Sequence, residues 1–124
     1  MKLLFVCVGN SCRSQIAEAV SQHLGHTAYS AGTKPSSEVH PFAISSLNIK
    51  GIKCDHLYPK KIDDLKSDIL EDTTVISMGC GVECPKIKID YDFELDDPKD
   101  EDLDYFIKLI SVIENKIKNI TDLN

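Results

Sequence analysis

Apolar and polar positions follow two different periods along this chain, and the changes of period mark its elements. Lys2 to Val8 is a near-continuous apolar run, the pattern of a strand covered on both faces. From Ser14 to Leu24 the residues Ile16, Ala17, Val20 and Leu24 fall at helical spacing, and Gly25 is a stop signal. Thr27 to Ala31 reads as a short second strand ending at Gly32, and Thr33 to Glu38 as a polar loop. Pro41 suits the first turn of a helix carrying Phe42, Ile44, Leu47 and Ile49, with Gly51 after it. Ile52 to His56 is ambiguous, while Ile62, Leu65, Ile69 and Leu70 allow one or two helical turns. Thr74 to Met78 is a third buried strand ending at Gly79, and a short strand is expected around Tyr91 to Leu95. The last helix is the clearest, with Leu103, Phe106, Ile107, Ile110, Ile113 and Ile117 at three- and four-residue steps.

Strands alternating with helices predict an α/β fold: a four-stranded parallel sheet with helices on both faces, in three α/β/α layers. The 124 residues suit a single domain, 1–124, without internal repeat or linker. Ligands of such sheets bind beyond the carboxyl ends of the strands. That rule gathers three segments at one rim: the Cys7–Arg13 loop, the Gly79–Pro85 loop and Asp96-Asp97-Pro98.

Charge narrows the partners. The net charge of −6 argues against nucleic acid and anionic membrane surfaces, and the basic residues form no stripe. No apolar run approaches the ~18 residues of a membrane span, and the first eight residues are too short for a signal peptide. A cytoplasmic monomer is expected. Five cysteines in such a chain read as one nucleophile plus redox or core thiols, not as a disulfide framework.

The richest chemistry is in Cys7, Val8, Gly9, Asn10, Ser11, Cys12, Arg13 and Ser14. A strand that runs through a glycine-bearing loop into a helix offers backbone N–H groups and a positive dipole end to a tetrahedral oxyanion. The same field favours the thiolate of Cys7. Arg13 can fork two hydrogen bonds onto the anion, and Ser14 can cap the helix or hydrogen-bond the sulfur. A bare C-x5-R pattern is loose; here the strand before and the helix after supply the context that the chemistry needs.

Cys80 and Cys84, flanked by Gly79 and Gly81, follow the third strand as a candidate dithiol. Positions four apart meet on a helical turn, so a disulfide is feasible. Inert packing thiols are one alternative. Zinc, with Cys7, Cys12, Cys54 or His56 recruited, is another, although no C-x-x-C or H-x3-H pair is present. No cofactor is expected. Asp97, at the same rim, can act as a general acid, or belong to a solvated acidic run through Asp104. Cys12 can be a packing thiol or a protective partner of Cys7. Cys54 is taken as structural, and His40 as a helix cap.

Taken together, the Cys7-to-Ser14 loop, Ala17-Glu18, Tyr29-Ser30-Ala31-Gly32, His40-Pro41, the dithiol segment and Phe93 to Pro98 resemble the low-molecular-weight phosphotyrosine phosphatase superfamily. Within it, Ser14-Gln15 in place of Ser-Pro, Lys99-Asp100 in place of paired tyrosines, and the Cys80–Cys84 segment resemble the arsenate reductases. The resemblance implies a three-thiol relay: Cys7 attacks arsenate, Cys80 attacks Cys7, and Cys84 attacks Cys80, with Asp97 as acid. Thioredoxin would then reduce the exposed disulfide. The spacer between Cys80 and Cys84 is shorter than in well-known reductases, so glutaredoxin or a small thiol also enters as reductant. Leu57 and Pro59 follow His56, so the monovalent-cation site of some relatives is not carried over. A phosphatase using Cys7, Arg13 and Asp97 is the alternative function, and a redox-sensing module without turnover a third.

Overall fold

The computed structural model describes residues 1–79 and 87–122. Its elements are β1 (Lys2–Cys7), α1 (Arg13–His23), β2 (Thr27–Gly32) and α2 (Pro41–Ile49), then a 3-10 turn (Ile62–Asp64) and α3 (Ser67–Leu70). These are followed by β3 (Thr74–Ser77), β4 (Tyr91–Asp92) and α4 (Leu103–Thr121). The strands form one parallel sheet in the order β2-β1-β3-β4, with Cys7 paired to Gly32 and Val6 to Ser77. The expected fold class holds, and β1 sits at its centre. Ile52 to His56 forms no regular element, and the fourth strand is shorter than the pattern suggests.

The two sheet faces are covered unequally. Alternation along β1 sends Leu3, Phe5 and Cys7 to the face packed by α1, α2 and α4, with Phe106, Ile113 and Ile117 fully buried there. Leu4 and Val6 meet Ala31, Ile62 and Val75 on the other face, with Leu65, Leu70, Ile87 and Ile89 packed around them. That second layer is the 3-10 turn, the one-turn α3 and flanking chain, so it is much thinner than the first. The long helix α4 begins where Asp102 caps it, accepting a hydrogen bond from the Tyr105 N–H at 2.9 Å.

Helix α1 departs from the amphipathic expectation. Every residue from Arg13 to Ser21 is buried, including Ser14, Gln15, Glu18 and Ser21. A helix wrapped on all sides has no solvent face, so its polar residues need partners inside the protein. No helix among the described residues is long and apolar enough to cross a membrane.

Packing on the α4 side sets the first expectation. Ile113→Ala, at a fully buried position, should destabilise by roughly 2–5 kcal/mol. Val112→Ala, at an exposed neighbour, should stay within about 0.5 kcal/mol. Urea unfolding of both variants checks the pair.

Candidate active site

The loop between β1 and α1 is held from outside through its carbonyls. Cys7 O accepts from the Thr33 N–H at 3.2 Å, Val8 O from Lys34 at 2.9 Å, and Gly9 O from Ser36 at 2.8 Å. Ser11 O accepts from the His40 N–H at 2.9 Å, and Cys12 O from Ile16 at 3.0 Å. Asn10 O takes the Gln15 amide Nε2 at 2.9 Å. In a trans peptide the carbonyl of one residue and the N–H of the next point in opposite directions, and no described peptide is cis. Six outward carbonyls therefore turn the N–H groups of Val8 to Arg13 inward. The Asn10 N–H shows the outcome, donating to Cys7 Sγ at 3.0 Å. Thr33 to Glu38, a polar loop by sequence, is the outer wall of this cradle.

Asn10 locks the arrangement. It is fully buried with φ 49°, in the left-handed region that Asn tolerates better than most residues. Its Nδ2 donates to Ser14 Oγ at 2.7 Å and Ser30 Oγ at 3.0 Å. Its Oδ1 accepts from Gln15 Nε2 at 3.0 Å and the Lys60 N–H at 2.8 Å. Ser30 passes the network on, donating to Glu18 at 2.7 Å, and the Lys60 ammonium lies 3.4 Å from the same buried carboxylate. Gln15 adds a tie to Tyr58 O at 2.8 Å. Glycine is required at position 32, where a Cβ would stand 2.5 Å from Val8 O and 3.1 Å from Asn10 Cβ.

Ser14 resolves the two roles open to it. It is fully buried, its hydroxyl lies 2.9 Å from Cys7 Sγ, and the helix has no side-chain cap. Arg13 Nη1 donates to Met78 O at 3.1 Å and Leu95 O at 2.7 Å. These carbonyls, from the end of β3 and the β4–α4 loop, fix the guanidinium plane. Nη2 and Nε remain for a second fork, since a guanidinium carries five N–H donors.

Cys7, Val8, Gly9, Asn10, Ser11, Cys12 and Arg13 line one open cavity of about 560 Å³, and Gly79, Leu95, Asp96, Asp97 and Lys99 share its walls with them. Two of the three expected rim segments thus meet. Of the third, Gly79 reaches the cavity, with φ 94° and its Cα so close to Leu95 that a Cβ would stand 2.5 Å from Leu95 O. Cys80 and Cys84 lie outside the described residues. Asp97 is exposed and its carboxylate accepts the Lys99 N–H at 3.1 Å. Burial pushes the Cys12 thiol up, with Asp97 adding to the rise and the Ser11 hydrogen bond and Arg13 opposing it. Burial, with Asp55, also raises Cys54, which bonds Asn48 and Ile44 far from the cavity. Cys7, Cys12, Cys54 and His56 do not converge as a metal site, and no other group of three ligands does among the described residues.

Sequence reading missed the Gln15, Glu18, Ser30 and Lys60 network behind the loop. The available signal was Ser14 and Glu18 at i and i+4, beside Gln15, on a helix whose Ile16, Ala17 and Val20 mark it for burial. Loss of one sulfur partner should be measurable: Ser14→Ala is expected to slow iodoacetamide labelling of Cys7 at pH 7 several-fold. Its melting temperature should fall by only a few degrees. Asn10→Ala, which strands several buried partners, should cost about 3 kcal/mol or more on urea unfolding.

Known proteins carry the same arrangement of elements. The family described as low molecular weight phosphotyrosine protein phosphatase matches residues 2–79. A glutaredoxin arsenate reductase of Synechocystis sp. is 33% identical over 126 residues, covering 96% of this chain and 95% of that protein. An arsenate reductase solved in its phosphate-binding state superposes with a TM-score of 0.83 at 33% identity, covering 97% of this chain and 96% of the other. A thioredoxin-dependent arsenate reductase of Corynebacterium glutamicum superposes with a TM-score of 0.74 at 33% identity, covering 98% of this chain and 62% of the other. With its thiol cradle built on the first strand and helix, this chain belongs to the low molecular weight phosphotyrosine protein phosphatase family, on the side of its arsenate reductases.

Proposed function

We propose that this protein reduces arsenate to arsenite, with Cys7 as nucleophile and Cys80 and Cys84 as the thiols that complete the electron transfer. The observation that carries the reading is the cavity itself. A thiol ringed by inward N–H groups and Arg13 faces Gly79, and Cys80 is the next residue of the chain. The relatives named as arsenate reductases over nearly the whole chain support it.

In this reading the N–H groups of Val8, Gly9, Ser11, Cys12 and Arg13, with the Arg13 fork, hold the oxyanion, while the Asn10 N–H and the Ser14 hydroxyl attend the sulfur. The Cys7 thiolate attacks arsenic and forms an S–As bond as a protonated oxygen departs as water, its proton coming from Asp97. Cys80 then attacks the Cys7 sulfur. The S–As electron pair stays on arsenic, which leaves as arsenite, and a Cys7–Cys80 disulfide forms. Attack by Cys84 on Cys80 returns Cys7 to the thiol and leaves a Cys80–Cys84 disulfide. An external dithiol, thioredoxin or glutaredoxin, supplies the two electrons that reopen it. The monomer acts in the cytoplasm, where such reductants are kept reduced.

The cavity walls bear no aromatic side chain among the described residues, which favours a small inorganic oxyanion over an aryl phosphate. The test is arsenate-dependent NADPH consumption with thioredoxin and its reductase. Wild type should turn over, whereas Cys80→Ser and Cys84→Ser should fall at least a hundredfold, with mass spectrometry finding the Cys80–Cys84 disulfide in oxidised wild type. Sustained turnover in both variants would sink the relay. Fast phosphomonoester hydrolysis indifferent to both changes would mark a phosphatase instead.

A further inference from the structure

One residue outside both segments, His40, touches the nucleophile loop with its backbone and the loop that carries Asp97 with its ring. The His40 N–H holds Ser11 O at 2.9 Å, so its backbone is part of the outer wall of the cradle. Its ring Nδ1 accepts the Phe42 N–H at 3.0 Å and caps α2. An Nδ1 that accepts from a backbone donor carries no proton, so in the neutral ring Nε2 bears it. Nε2 stands 3.1 Å from Lys99 O and donates to it. Stacking on Phe106 of α4, with centroids 4.8 Å apart, and contact with Phe42 at 5.6 Å set the ring orientation. Lys99 is thereby held at both ends: its carbonyl by His40, and its N–H by the Asp97 carboxylate at 3.1 Å.

We infer that His40 is a positioning residue for Asp97: its imidazole straps Lys99 so that the Asp97 carboxylate is held at a fixed station on the wall of the cavity that Cys7 also lines. Asp97 is exposed and sits on a chain segment without regular structure. Without the strap, its proton would be delivered from a spread of positions, and general-acid catalysis depends steeply on reach. The inference rests on the proposed role of Asp97 as acid.

Two variants separate the cap from the strap. Asn at position 40 can reproduce the Nδ1 acceptor that caps α2 but cannot reach Lys99 O. Gln extends further and can restore a donor there. In single-turnover assays of arsenate-dependent thiol loss, His40→Asn should lower the maximal rate about tenfold with half-saturation within twofold. His40→Gln should recover part of that loss. Iodoacetamide labelling of Cys7 in His40→Asn should match wild type, showing the nucleophile loop intact.

The decisive measurement is a double-mutant cycle. Asp97→Asn should lower the rate about a hundredfold, the scale of a lost general acid. Adding His40→Asn to Asp97→Asn should then change nothing further, because the strap has no acid left to hold. An equal fold-loss in both backgrounds would overturn the inference and leave His40 a structural cap. Slowed Cys7 labelling in His40→Asn would overturn it as well, placing the effect on the nucleophile. Full activity of Asp97→Asn would remove the acid and the strap together. If wild type consumes no thiol with arsenate, the reduction reading fails on its own, and the same cycle run on phenyl phosphate hydrolysis decides the strap.

Discussion

Everything at this site depends on where six carbonyl groups point. The loop from Cys7 to Cys12 presents its oxygens to Thr33, Lys34, Ser36, His40, Gln15 and Ile16, and trans geometry then commits the N–H groups to the interior. A concave row of N–H dipoles around a sulfur is costly unless something fixes each peptide plane from behind. Here the fixing groups come from the chain after β2, from α1 and from the start of α2. The cradle is thus an outcome of tertiary structure, although its sequence is eight residues long. Asn10 completes it by satisfying both ends of its amide where a left-handed residue is needed.

What the sequence disclosed and withheld follows from this. The strand-loop-helix around Cys7 and the helix from Leu103 were legible because each is written in local periodicity. The meeting of Cys7, Arg13 and Asp97 on one cavity was legible too, through the rule that parallel sheets bind ligands at the carboxyl ends of their strands. The backing network was not. Glu18 becomes comprehensible only when register places Ser30 beside α1 and the chain before the 3-10 turn brings Lys60 to the same carboxylate. Charges so placed offset each other in a low-dielectric setting, which no local window of sequence can reveal. His40 was read as a cap and is one; its second nitrogen speaks to a residue 59 positions away.

Arg13 plays a comparable double part. Before it meets any anion it already gathers the end of β3 and the loop after β4 through Met78 O and Leu95 O. Lysine could replace its charge but not its plane, since a single ammonium cannot hold two carbonyls and also present a flat fork to a ligand. The close approach of Gly79 to Leu95 serves the same junction, bringing the chain just before Cys80 to the cavity wall.

The central strand also governs when the thiol meets the groups that surround it. Cys7 shares a face with Leu3 and Phe5, and a slip of one residue in the pairing with β2 would turn it to the opposite, thinly covered side. In the unfolded or misregistered chain it is an ordinary cysteine, with no converging N–H groups and no serine beside it. Folding therefore works as a safety catch. If Cys7 is the nucleophile proposed above, the nascent protein carries no activated sulfur through synthesis, and the group is armed only once the sheet has closed around it.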